Sequence, residues 1–298
     1  MANATRDNAV TINKPMPDAA VIRHLRRKCL DVRRDIIEMI YAGGSGHPGG
    51  SLSAVEILTA LYFHTMRIRP NQPDWAERDR FVLSKGHAAP ALYAVLAERG
   101  FFPRAELATF TAPGTRLQKH IDMYRVPGTE LSTGSLGQGL SVAVGMALAD
   151  RLDGKDRRVY VLIGDGESQE GQVWEATMAA AQLRLNNLIV FLDYNRCQVD
   201  GYLPDICNLE PVTEKWKSFG WHVQQLGGHD LAQILGALEI AQASGHGPHM
   251  LIANTVKGKG ISYMENQLAW HSRSLSEGDY RIAMQELDAT QHNLAQEG

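Results

Sequence analysis

Asp165 and Asn195 stand 30 residues apart, each just beyond an unbroken apolar run. Asp165 lies in the loop Gly-Asp-Gly-Glu-Ser-Gln-Glu-Gly at 164–171, and Asn195 in Asp-Tyr-Asn-Arg-Cys-Gln-Val-Asp-Gly at 193–201. A diphosphate is held by backbone N–H groups, a helix amino terminus and a divalent cation. Magnesium takes oxygen ligands, one or two from carboxylates and others from phosphate. Asp165 offers a carboxylate between glycines that let phosphate approach the backbone, and Asn195 offers an amide oxygen. One carboxylate with one neutral amide suits a site whose ligand brings its own negative charge. Alone, Gly164–Gly166 reads as a tight strand-to-helix turn; Asn195, placed after the next strand, makes the pair a site.

The elements that must hold these loops follow from the hydrophobic pattern. Residues 159–163 and 188–192 are wholly apolar, 223–226 is a shorter strand candidate, 250–255 a last one, and 81–83 a short one upstream. Helical spacing separates them, over 138–152, 170–185 and 231–243. Strands without polar alternation, divided by helices, form a parallel sheet covered on both faces. The fold class is therefore α/β, a doubly wound parallel sheet with helices on both faces, which takes its ligands beyond the carboxyl ends of the strands. Upstream, Asp18 caps a helix running to Tyr41, and Ser53-Ala54-Val55-Glu56 reads as a capping box opening a helix to His64. The cluster Arg23, Arg26, Arg27, Lys28, Arg33, Arg34 reads as a solvated helix face. Residues 1–16 read as a poorly ordered arm, and 17–298 as a single domain ending in a charged helical tail.

Composition narrows the classes. The chain has 298 residues, 44% of them hydrophobic and 21% charged, with a formal charge of −3. That excludes a disordered chain and lacks the basic footprint of a nucleic-acid binder. No apolar run approaches the length of a membrane span. Three scattered cysteines make neither a disulfide framework nor a zinc ribbon, so the expected location is the reducing cytoplasm. Gly44-Ser45-Gly46-His47-Pro48-Gly49 matches the dinucleotide glycine pattern in letters only, since it follows a helix and contains Pro48. No P-loop is present.

Four segments together carry a family resemblance: Ser45-Gly46-His47-Pro48-Gly49-Gly50, Leu83-Ser84-Lys85-Gly86-His87-Ala88, Ser132-Thr133-Gly134-Ser135-Leu136-Gly137-Gln138-Gly139 and the loop at 164–171. In this order, over about residues 20 to 272, the chain resembles the amino-terminal half of transketolases, in the form made as two separate chains. The resemblance implies thiamine diphosphate held with Mg2+ (or Ca2+ or Mn2+), with Asp165, Asn195 and the main-chain oxygen of Cys197 as metal ligands. Gly166 and Glu170 match positions near the diphosphate and at the chain–chain contact, and Gly134 and Leu136 the loop beside the aminopyrimidine. His87 and His271 match histidines that touch the diphosphate, while His47 and His120 match those facing the sugar donor. His271 is further expected to relay a proton near neutral pH. Around His120 the family has Gly-His-Pro where this chain has Lys119-His120-Ile121, and Trp270-His271-Ser272 replaces Trp-His-Gly.

The activity so implied is transfer of a two-carbon glycolyl unit from a ketose to an aldose, in carbohydrate metabolism of the pentose phosphate type. The acid that activates the cofactor and the grips on the sugar phosphate belong to the family's other half. The resemblance therefore implies a separate partner chain, in a heterotetramer, that supplies the pyrimidine-binding domain. The alternatives are a 2-oxo acid dehydrogenase-like or deoxyxylulose phosphate synthase-like subunit, or a cofactor-cleft protein without catalysis.

Overall fold

The computed structural model describes residues 18–296; the arm expected over 1–16 lies outside the described residues. Helix α1 (Ala19–Gly43) buries Leu25, Cys29, Val32, Ile36 and Ile40, spaced three or four apart as one helical face requires. The Asp18 carboxylate caps it by accepting from the Ala20 amide at 2.9 Å. It closes on Gly44 at φ 65°, the left-handed conformation that glycine adopts without steric cost.

The helix expected over 53–64 is instead α2 (Pro48–Leu52), α3 (Val55–Ala60) and a wide turn, Leu61–Thr65. The capping box does not form. Ala54 occupies the cap of α3 without a side-chain bond. The Ser53 hydroxyl donates to Asp193 at 2.6 Å, and Glu56 is taken by Arg33 at 2.6 Å and His229 at 2.8 Å. Both side chains are buried, so long-range charged partners displace the local cap. Arg33 likewise leaves the solvated face expected of it, at 8% exposed, whereas Arg23 and Arg27 remain exposed.

After β1 (Arg80–Leu83) and α4 (Ala89–Arg99) come α5 (Gln138–Leu152), β2 (Val159–Gly164), α6 (Gly171–Gln182) and β3 (Leu188–Tyr194). Then follow α7 (Leu203–Ile206), α8 (Val212–Ser218), β4 (His222–Gly227), α9 (Leu231–Ala243), β5 (His249–Asn254) and α10 (Glu277–Gln296). The five strands are all parallel, in the order β1-β2-β3-β5-β4. Every residue of β2 and β3 is buried, as strands covered on both faces must be. One face packs Tyr160, Leu162 and Phe191 against α1, α3, α4 and α9; the other packs Val161, Ile163 and Val190 against α5, α6 and α8. The tail helix α10 lies on α1, with Arg34 bridged to Asp288 at 2.7 Å and Tyr41 stacked on Tyr280. No helix among the described residues is long and apolar enough to cross a membrane.

Candidate active site

β2 and β3 are neighbours, with Gly164 opposite Asp193, so the two polar loops emerge side by side at the carboxyl end of the sheet. Between them opens a cleft of about 250 Å³, lined among others by Asp165, Gly166, Asn195, Cys197, Lys257 and His271. His87, Leu136 and Glu170 also line it.

Asp165 is 3% exposed; its oxygens accept from the Gly166 amide at 2.7 Å and the Arg196 amide at 2.5 Å. Burial first, then the charge of Asp193, pushes its carboxyl up to about 6. Asn195 Oδ1 accepts from the Cys197 amide at 3.0 Å. The Cys197 carbonyl accepts from Lys257 Nζ at 2.9 Å, and burial pushes the Cys197 thiol up. A carboxylate, an amide oxygen and a main-chain carbonyl are all hard oxygen donors, so the set suits magnesium, and the protonated thiol takes no part. Among the described residues no three His, Cys, Asp or Glu side chains cluster as a metal site, so a cation here must draw on amide, carbonyl and ligand oxygens.

The four histidines expected from separate segments converge. The His47 ring lies 5.5 Å from His87, 5.8 Å from His120 and 5.7 Å from His271, and His87 lies 5.1 Å from His271. His120 is exposed beside Gly134, where a Cβ would come within 3.1 Å of its ring. The Tyr93 hydroxyl reaches the carbonyls of Gln118 and His120, at 2.9 and 3.2 Å, and fixes that loop. Burial pushes His47 down to about 4 and His87 well below the usual imidazole range. His271 is pushed down to about 3 by burial and by Lys257. His271 Nδ1 faces the Lys257 ammonium at 2.9 Å, an arrangement that leaves the ring proton on Nε2 and opposes the imidazolium that the expected relay at neutral pH would use. His47 Nδ1 is buried without a partner among the described residues.

Sequence reasoning missed four residues beneath these. Glu167, 2% exposed, ties three loops together. It accepts from the Ser84 hydroxyl, from the Gly137 amide at 3.0 Å and from the Gly164 amide at 3.0 Å. Lys85 pairs with Asp193, which also accepts from Thr255 and Ser53, and donates to the Gly50 carbonyl at 2.9 Å. Lys257 is 2% exposed, and among the described residues its ammonium has no carboxylate partner. Glycine is needed at position 86, where a Cβ would meet the Thr133 carbonyl carbon at 2.6 Å; this lets the His87 loop lie against the Gly134 loop. A larger cavity, about 920 Å³, lies between α1, α10 and the amino end of α9 and holds none of the motif residues.

Comparison with known proteins gives one consistent result. Residues 26–294 match the family model "Transketolase, thiamine diphosphate binding domain". The chain is 51% identical over 257 residues to the 6-deoxy-6-sulfo-D-fructose transketolase subunit SqwG of Clostridium sp. (strain MSTE9), covering 86% of this chain and 94% of that protein. It is 41% identical over 265 residues to one of the apulose-4-phosphate transketolase subunits of Phocaeicola vulgatus, covering 89% and 94%. Among solved structures it is similar to Pichia stipitis transketolase in complex with sedoheptulose-7-phosphate, with a TM-score of 0.85 at 31% identity. That match covers 89% of this chain but only 41% of the solved one.

Proposed function

The chain belongs to the transketolase family as its thiamine diphosphate-binding domain, and from that premise we propose that it is the amino-terminal subunit of a two-chain, magnesium-dependent transketolase. The observation that carries this reading is the convergence of His47, His87, His120 and His271, of which His87 and His271 line the cleft with Asp165, Asn195 and Lys257. Residues 17–298 act as one domain in this proposal.

Asp165, Asn195 and the Cys197 carbonyl would hold the magnesium. Lys257, His87, His271 and the Gly166 backbone would hold the diphosphate. Lys257 suits that task because a buried ammonium without a carboxylate partner gains most from a dianionic ligand. Gly134 and Leu136 would border the aminopyrimidine. Bound thiamine diphosphate supplies an electron sink, which lets the bond between the second and third carbons of a ketose break. His47 and His120 orient the donor. Both can hydrogen-bond its hydroxyls, and a neutral His47 can give or accept a bond as the sugar oxygen requires.

The partner chain would supply the pyrimidine-binding wall, the activating acid and the grips on the far end of the sugar, in a heterotetramer with two copies of each chain. Support comes from exposed residues: Leu136 and Glu170, which line the cleft, and the apolar Val142 on α5 and Met178 on α6. We place the assembly in the cytoplasm, in keeping with three free cysteines. The sugar named in the 51% identical relative, 6-deoxy-6-sulfo-D-fructose, is the first donor to test, ahead of pentose phosphates.

The test assembles the chain with its partner and offers a ketose donor and an aldose acceptor. Metal- and cofactor-dependent appearance of a product longer by two carbons is the expected result. Decarboxylation of a 2-oxo acid without ketol transfer would contradict the reading.

A further inference from the structure

Lys257 is held from behind. On the side of the chain away from the cleft, three buried or half-buried side chains from distant segments meet at Glu56. Arg33 of α1 donates to Glu56 Oε1 at 2.6 Å, and His229, between β4 and α9, bonds Glu56 Oε2 through Nδ1 at 2.8 Å. The Val256 amide donates to His229 Nε2 at 2.8 Å. An amide can only donate, so Nε2 is the acceptor and the ring proton sits on Nδ1, facing Glu56. Arg33 Nε donates to the Lys259 carbonyl at 3.0 Å. The triad thus grips the main chain one residue before Lys257 and two residues after it. Gly260 shows how closely the chain is pressed there: at φ 93°, a Cβ would lie 2.7 Å from Arg33 Nε.

We propose that Arg33, Glu56 and His229 are positioning residues that aim the Lys257 ammonium at the diphosphate. The proposal rests on the reading of the cleft given above. None of the three lies in the cleft, and each hydrogen bond they make to the loop goes to backbone, not to the Lys257 side chain. Their effect on the ligand must pass through the position of residue 257. A clamp built on a carboxylate shared between a guanidinium and an imidazole has little freedom, since both Glu56 oxygens and both ring nitrogens are already engaged. With its flanking amide and carbonyl so fixed, Lys257 donates to the Cys197 and Gln198 carbonyls at 2.9 and 3.2 Å and faces His271 Nδ1 at 2.9 Å.

The experiment is a double-mutant cycle on the assembled two-chain enzyme, reading the thiamine diphosphate dissociation constant and the unfolding midpoint. His229→Ala is expected to weaken cofactor binding about tenfold and Lys257→Ala about a hundredfold. The double variant is expected to bind no worse than Lys257→Ala alone, because residues that act as one unit do not add. His229→Gln, which can again accept from Val256 and donate to Glu56, should recover most of the loss. Arg33→Lys keeps a charge near Glu56 but drops the bond to Lys259, and it serves if His229→Ala fails to fold; its loss should also vanish in the Lys257→Ala background. Losses that multiply in the double variant would overturn the clamp. So would a His229→Ala protein with a lowered unfolding midpoint and unchanged cofactor affinity. Unchanged affinity in Lys257→Ala would overturn the clamp together with the reading of the cleft on which it rests.

Discussion

Buried aspartates stand at both ends of the parallel sheet, and they do different things. At the amino end, Asp79 is 2% exposed, and fixed donors of the fold use up its oxygens. It accepts from the Arg67 and Arg158 amides, each at 2.9 Å, and from the Arg67 guanidinium at 3.0 Å. Asp150 is paired with Arg157 nearby. At the carboxyl end, Asp165 accepts from two amides and faces a cleft with Asn195, while the Lys257 ammonium makes no ion pair among the described residues. Asp79 is saturated by the fold, and Asp165 is left for a ligand to complete. Strand direction decides which is which: parallel strands converge their outgoing loops, and helix amino termini, at one end only.

The sharpest way to break this contrast is to exchange loss of fold for loss of ligand. Asp79→Ala should destabilise the chain by about 2–4 kcal/mol in chemical denaturation, because it takes the acceptor from the half-buried Arg67 and Arg158 amides. Its folded fraction should bind thiamine diphosphate as the parent does. A large change in cofactor affinity would blur the two ends. Next, His47→Ala should lower turnover from ketose donors by about 10²–10³. His120→Ala should lower it by less, and cofactor affinity should be nearly unchanged in both. An equal loss of cofactor binding would move either histidine from the sugar to the diphosphate.

The amino end has its own unpaired group. His249 opens β5, stacked on His222, is 3% exposed, and both its ring nitrogens lack partners. Burial, with a contribution from His222, pushes it down to about 4. Between about pH 6.5 and 4 the unfolded chain then binds a proton that the folded chain refuses, so stability rises with pH across this window and is lost as pH falls. The loss should be on the order of 2–3 kcal/mol, and His249→Leu should flatten that part of the stability profile. An unchanged slope in the variant would assign the acid sensitivity elsewhere. The smallest effect expected is from Tyr93→Phe, which removes the hydroxyl bonded to the Gln118 and His120 carbonyls and should cost about 1 kcal/mol.

The strands that set this polarity were legible because residues 159–163 and 188–192 are apolar without interruption, which only two-sided burial requires. With the strands placed, Asp165 and Asn195 fell at their carboxyl ends, and the His47, His87 and Gly134 motifs supplied the rest of the cleft. What stayed hidden was every polar residue whose partner is far away in sequence. Ser53 and Glu56 have the spacing of a capping box, yet Asp193 and the pair Arg33 and His229 claim them. Arg33 looks like its exposed neighbours until the loop after β5 arrives to bury it. Lys85 and Glu167 sit inside two of the patterned segments and Lys257 outside them all, but none shows its role there, because their partners lie on other loops.

We propose that the carboxyl end, at Asp165 and Asn195, is where this chain binds metal and diphosphate. Titrating thiamine diphosphate into the assembled enzyme, with and without magnesium, tests it most directly when the parent is compared with Asp165→Ala. The parent should bind tightly only with the metal. Asp165→Ala should lose at least about a hundredfold in affinity along with the magnesium dependence, while its unfolding midpoint shifts by only a few degrees. An Asp165→Ala enzyme that binds the cofactor with the parent's affinity and the parent's response to magnesium would contradict the account.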